Sequence, residues 1–183
     1  IPSPQPFIES DPADTSFLGA TCQKWEEAIA PVFNLGKRLI TFRIGIVLSR
    51  EGGAYTEFRK PLQFGIASIL GSGRQVVSWI HVEDLARLFI FALKNESVHG
   101  VYNAVAPHPV SNEQLIKQIA KVKGGFSFPA PVPAFVLKAM LGEMSIEILK
   151  SATVSSAKVQ DAGFRFTFPT IEQAVQDLNK KAL

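Results

Sequence analysis

The sequence predicts an α/β protein: the C-terminal half of a doubly wound parallel sheet, followed by a small, mostly helical C-terminal subdomain. Three observations carry this. Apolar runs recur at residues 38–48, 76–82 and 100–106, and their hydrophobicity does not alternate, the pattern of strands covered on both faces of a parallel sheet. Segments of helical periodicity lie between them, which gives the alternation of an α/β chain. A doubly wound dinucleotide fold opens with a strand, a glycine-rich turn and a helix, yet neither Gly-x-Gly-x-x-Gly nor Gly-x-x-Gly-x-x-Gly occurs here. The first half of such a fold is therefore expected to be absent.

The elements follow in order. Residues 1–15 are rich in Pro, Asp and Ser and read as loop. Asp14-Thr15-Ser16 can cap a helix from about Phe17 to Val32, which Gly36 stops. Arg38 to Leu48 reads as a buried strand and Ser49 to Gly53 as a turn. Tyr55 to Ile69 mixes aromatic, basic and apolar residues and is expected to be helical. The Gly71–Gly73 turn leads into a Val76–Val82 strand, a helix to about Lys94, and a short strand at Gly100–Ala106. Ser111 and Gln114 have the spacing of a capping box at the next helix, which ends before Gly124-Gly125. Phe126 to Pro133 is a rigid Pro-rich crossing segment. Helices are then expected over 134–141 and up to about Lys150, extended chain over 163–169, and a last helix over 171–178.

Bulk properties exclude several classes. The 183 residues suffice for one domain with a sizeable core, and 46% hydrophobic against 19% charged is ordinary for a globular chain. The net charge of +3 is spread out, with no run of five like charges, so no nucleic-acid partner is expected. No apolar run approaches a membrane span, so no membrane partner is expected either. One cysteine, Cys22, cannot form an intrachain disulfide, which fits a reducing, cytoplasmic setting. His81, His99 and His108 are too scattered for a zinc site, and no metal is expected. The start, Ile1-Pro2-Ser3-Pro4, reads as the middle of a larger polypeptide.

Two segments resemble a known family. Trp79-Ile80-His81-Val82-Glu83-Asp84-Leu85 is similar to the Ile-His-Val-x-Asp segment of the extended short-chain dehydrogenase/reductase superfamily. Phe42-Arg43-Ile44-Gly45-Ile46-Val47-Leu48-Ser49-Arg50-Glu51-Gly52-Gly53-Ala54 resembles the Arg-x-Gly-x-Val-Leu-Ser-x-x-Gly-Gly-Ala segment of the YfcH-like sugar-nucleotide epimerases, an atypical branch with a Rossmann-type NAD(P)-binding fold. Trp25-Glu26, Val101 to Val110, Leu141-Gly142-Glu143-Met144 and Gly163 to Phe166 agree in order. The resemblance implies that residues 1–125 are the C-terminal half of the dinucleotide domain and 126–183 the family's small C-terminal domain. The missing part, about a hundred residues, would carry the glycine-rich turn.

The resemblance also implies roles. NADP is the expected cofactor, NAD the alternative, bound largely by the absent half. Arg43, Ile44, Gly45, Ile46 and Val47 are placed beside the nicotinamide, with Gly45 permitting close backbone approach. Arg43 reads equally as a structural residue paired with a carboxylate. Lys60, Gln63, Phe64, Trp79, His81 and Asp84 are substrate-cleft candidates. The alternatives are a solvated helix face for Lys60, Gln63 and Phe64, core for Trp79, a cap at Leu85 for Asp84 and backbone bonding for His81. Glu143 can cap or pair with a Lys.

The superfamily's Tyr-x-x-x-Lys pair is missing. If Glu26 is the Glu that follows the Lys by four, Leu18 and Cys22 occupy the Tyr and Lys positions. An Arg that clamps diphosphates in nucleotide-sugar epimerases is replaced by Val77, and Arg74 faces the other way on an extended strand. The catalytic residues are therefore unknown. The expected function is an NAD(P)-dependent nucleoside-diphosphate-sugar epimerase-like protein or oxidoreductase acting on an unidentified small polar substrate, compatible with a homodimer. The alternative is a non-catalytic NADP-binding sensor or scaffold.

Overall fold

In the computed structural model, residues 5–142 and 144–180 are described; Glu143 and its expected cap or ion pair lie outside them, as do Ile1–Pro4. Helix α1 spans Phe17–Ile29 and tightens into a 3₁₀ segment, Ala30–Leu35, that ends at Gly36 with φ +67°. Ser16 is the α1 N-cap but makes no side-chain cap bond. Asp14 instead accepts the Ser16 N–H at 2.8 Å, and this bond holds its carboxyl below the usual range.

The remaining elements are β1 Ile40–Ile44, β2 Ile46–Leu48, α2 Ala54–Leu62, β3 Ile66–Leu70, β4 Val76–Val77 and β5 Trp79–His81. After them come α3 Val82–Lys94, β6 Gly100–Ala104, β7 Val110–Ser111, α4 Asn112–Lys123 and β8 Phe128–Val132. The chain closes with α5 Ala134–Leu141, α6 Met144–Leu149, α7 Ala157–Asp161 and α8 Ile171–Asn179.

The α/β architecture holds, and its pairing is mostly parallel. β1 runs parallel to β6 from Ile40 opposite Gly100 to Ile44 opposite Ala104. β2 runs parallel to β5, with Leu48 opposite His81. The chain changes partner at Gly45: its N–H donates to the Ala104 carbonyl at 3.2 Å, and the Ile46 N–H donates to the Ser78 carbonyl at 2.9 Å. A Cβ at Gly45 would sit 2.6 Å from the Ser78 oxygen and 2.7 Å from Val105 Cγ1, so only glycine fits this crossover.

Two expectations are corrected. The helix expected over Tyr55–Ile69 ends at Leu62, one residue after Pro61; Gly65, at φ +76°, turns the chain, and Ile66–Leu70 becomes a strand. Its partner is the Pro-rich segment, which is β8 rather than a crossing loop, parallel with Ile66 opposite Phe128 and Leu70 opposite Val132. Pro129 and Pro131 lack an N–H, which a strand paired on one side only tolerates. The capping box at α4 is present: Gln114 N–H donates to Ser111 Oγ at 3.1 Å, and Ser111 N–H to Gln114 Oε1 at 2.8 Å.

Two apolar clusters hold the elements together. Leu48, Tyr55, Leu62, Trp79, Leu115 and Ile116 form one, and α8 contributes Ile171, Ala174, Val175 and Leu178 to it. Ile80, Leu88, Ala92, Tyr102 and Ala104 form the other, joined by Val159 and Phe164. Residues beyond 126 therefore share core with the sheet. Stripping α8 from the first cluster would expose four buried apolar side chains, about 1.5–3 kcal/mol for each large one.

Candidate functional site

The Gly45 crossover lies at the carboxyl end of the β1–β6 pair, the kind of end where open α/β sheets put ligands, and at the start of the β2–β5 pair. Arg43 precedes it on β1. Its Nε and NH2 donate to the two carboxylate oxygens of Glu26 on α1, each at 2.8 Å, and its NH1 donates to the Glu9 carbonyl at 3.0 Å. Hydrogen bonding to Arg43 holds the Glu26 carboxyl below its ordinary value, and the same bond raises the Arg43 guanidinium. The Glu9 side chain meanwhile accepts the Asn103 N–H at 2.9 Å, so this loop, α1, β1 and β6 are tied at one point.

Beyond Arg43, Ile44 is 47% and Ile46 40% exposed, unusual for a strand paired in a parallel sheet. Val47 and Gly45 are half-buried and Leu48 fully buried. The close approach that demands glycine at position 45 is to Ser78 and Val105 of the protein itself. Leu18 and Cys22 are both exposed on α1, a helix with no buried residue.

The cleft candidates fall into two groups. Trp79, His81 and Asp84 are buried. The Trp79 Nε1–H donates to the His108 carbonyl at 3.0 Å. His81, not Asp84, caps α3, which starts at Val82: the Glu83 N–H donates to His81 Nδ1 at 3.1 Å. That bond places the imidazole proton on Nε2, which has no hydrogen-bond partner among the described residues and lies 3.5 Å from Asp177 Oδ2. Burial pushes the His81 pKa down, opposed by Asp177, Asp84 and Glu83. The Phe168 ring stacks on the imidazole with centroids 4.0 Å apart.

Asp84 binds the far end of the chain. Its oxygens accept the Thr167 and Phe168 N–H groups, each at 2.8 Å, and Arg87 NH1 donates to Oδ1 at 2.7 Å. His81 and Asp84 thus fasten residues 167–177 to the start of α3. Lys60, Gln63 and Phe64 lie apart from them, exposed at the end of α2; Lys60 pairs with Glu57 at 2.6 Å, and Phe64 is 83% exposed.

Sequence reading did not single out Glu9, Arg50 or Asp177. Arg50 donates to the Asp177 and Lys180 carbonyls at 3.1 and 3.0 Å and clamps the end of α8. Their partners lie far along the chain, and no local pattern signals them. Among the described residues no His, Cys, Asp and Glu cluster is suited to a metal, and no helix is long and apolar enough to cross a membrane.

Family models match two parts of the chain: the NAD dependent epimerase/dehydratase family at residues 58–104, and a domain of unknown function (DUF1731) at residues 132–178. Epimerase family protein YfhF of Bacillus subtilis is 38% identical over 170 residues, covering 93% of this chain and 55% of that protein. The chain is similar to this epimerase family. The chloroplastic epimerase family protein SDR39U1 homolog of Arabidopsis thaliana is 36% identical, over 93% of this chain and 48% of its own length. The chain thus spans about half the length of the curated relatives it matches. Among solved structures, human epimerase family protein SDR39U1 (isoform 2), crystallised with NADPH, superposes at TM-score 0.86 with 30% identity, over 96% of this chain and 59% of that one. A nucleoside-diphosphate sugar epimerase from Corynebacterium glutamicum superposes at 0.74 with 27% identity, over 96% and 34%. The Rossmann-type fold class is shared.

Proposed function

We propose that this chain supplies the nicotinamide end of an NADP(H) site in an epimerase-like oxidoreductase that acts on a small polar substrate. The observation that carries the reading is the exposed apolar surface of Ile44 and Ile46 beside the Gly45 crossover, at the carboxyl end of the β1–β6 pair. A flat ring fits such side chains, so the residues present suit the nicotinamide end of a dinucleotide. They offer the phosphates no glycine-rich helix start. The choice of NADP over NAD is supported by the human relative crystallised with NADPH.

When bound, the cofactor supplies hydride transfer. The chain's own residues hold and orient. Arg43, clasped by Glu26, keeps β1 against α1 and so sets the position of Ile44 to Val47. Trp79, His81 and Asp84 support this surface from within the core. Lys60, Gln63 and Phe64 are the accessible groups assigned to a polar substrate. Residues 1–125 act as the dinucleotide-domain half and residues 126–183 as a buttress.

A second reading, NADP binding without turnover, is favoured by Leu18 and Cys22 in the proton-relay positions, since a leucine moves no proton. NADPH titration of the full-length polypeptide by nucleotide fluorescence tests the shared part. Ile46→Asp, at an exposed site, is expected to weaken NADPH about tenfold or more by placing a carboxylate beside the anionic dinucleotide. Unchanged affinity refutes the placement. Isotope exchange between bound cofactor and any metabolite excludes the non-catalytic reading.

A further inference from the structure

The β3–β8 sheet is buried on one face only. Ala67 and Ile69 of β3 belong to the same apolar cluster as Leu115, Ile116 and Ile119 of α4. The alternate positions lie on the opposite face: Ile66, Ser68 and Leu70 on β3, and Phe128, Ala130 and Val132 on β8. These six positions carry no charge. Ile66 and Phe128 stand opposite one another and are 37% and 53% exposed, and Phe126, just before β8, is 85% exposed. Ser68 stands opposite Ala130, so two small side chains form a shallow step about 7 Å along the strands from Phe128.

The free edge of β8 is closed to another strand. The Phe128 N–H donates to the Gly65 carbonyl, and the Val132 carbonyl accepts the Gly71 N–H, each at 2.9 Å. Phe128 and Val132 therefore point their backbone groups at β3. The alternate residues, whose N–H groups would point outward, are Pro129 and Pro131, which have none. An edge without donors cannot form a full ladder, so a partner meets this sheet face-on, through side chains.

We propose that this face binds a second copy of the chain, in a symmetric and reversible dimer. A bulky side chain beside a small step is self-complementary: about a two-fold axis, Phe128 of each copy covers the Ser68–Ala130 step of the other. No like charges oppose one another across that axis. Phe126, Phe128 and Ile66 present roughly 350 Å² of apolar surface at their exposures. Homodimer interfaces are about 65% apolar, which gives roughly 550 Å² per copy and 1,100 Å² in all. That passes the roughly 1,000 Å² a specific interface needs, at the small end of the range, where association is weak. Phe64 borders the patch and is left to the substrate group. The surface is independent of the dinucleotide reading, which rests on the carboxyl end of the β1–β6 pair.

Sedimentation equilibrium of the full-length polypeptide between about 1 and 100 µM tests it. A monomer–dimer equilibrium in that range is expected, unchanged by raised salt because the contact is apolar. Phe126→Asp and Phe128→Asp should each weaken the dimer by at least about a hundredfold, since the two-fold sets a buried charge on both copies. Phe126 precedes the strand and is the more exposed, so its variant keeps the fold and carries the test if Phe128→Asp does not. Leu93→Asp, at an exposed position of α3 outside this sheet, should dimerise as the parent does. A parent that stays monomeric to about 100 µM overturns the proposal. So does a Phe126→Asp protein that dimerises as tightly as the parent, or a dimer lost in Leu93→Asp.

Discussion

Asp84→Ala tests how the C-terminal segment is held. The Asp84 side chain is fully buried and accepts the Thr167 and Phe168 N–H groups at 2.8 Å, with Arg87 beside it. Hydrogen bonds to a charged group contribute about 1.5–3 kcal/mol each. Thr167 is itself exposed, so water recovers part of one bond. The expected loss is therefore about 3–4 kcal/mol, near the lower figure for breaking a buried ion pair. That is a large share of a domain stability of about 5–15 kcal/mol. It corresponds to a fall in melting temperature of about 6–15 °C. Urea unfolding followed by the fluorescence of buried Trp79 measures it, and amide exchange at Thr167 and Phe168 locates it. Asp84→Asn keeps one acceptor oxygen and should lose about half as much. A loss under about 1 kcal/mol, with exchange at both amides unchanged, would show that the carboxylate does not hold this segment.

Three further outcomes follow from the same geometry. Gly45→Ala should cost about 2–3 kcal/mol in thermal unfolding, because the added methyl meets the Ser78 carbonyl at 2.6 Å and neither strand can yield without losing its pairing. Arg43→Met should cost about 1 kcal/mol, since the Arg43 and Glu26 side chains are 37% and 29% exposed and solvent screens the pair; raised salt should narrow the gap to wild type. The Glu26 contribution is present above its unfolded pKa near 4.5 and is lost as the pH falls through the lowered folded value. His81, whose folded pKa is lowered from 6.5 by burial, makes the unfolded chain take up the proton first. Urea midpoints should therefore decline as the pH drops below about 6.5, and His81→Asn, which can still accept the Glu83 N–H, should remove that slope.

The α/β class and most elements were legible because their signals are local. Apolar runs mark β1, β2 and β6, and the Ser111–Gln114 box marks α4. The β3–β8 ladder was not legible, because Ile66–Leu70 becomes a strand only through a partner some sixty positions away that carries two prolines. The cap of α3 moved from Asp84 to His81 for a similar reason: Asp84 looks like a cap locally, but its partners are Thr167 and Phe168. At the candidate site, the residues of β1 were legible as a motif, and the Arg43 carboxylate partner was anticipated as a type but not as Glu26. Whether a glycine serves a ligand or its own chain is not written in its neighbours; at Gly45 the Ser78 carbonyl takes the space.

The most direct measurement of the central claim is mass spectrometry of nucleotide released on denaturing the full-length polypeptide, purified without added cofactor. The account expects NADP or NADPH, retained by the wild type and depleted in Ile46→Asp. No nucleotide released, together with no NADPH binding on titration, would contradict it and leave a dinucleotide fold without its cofactor.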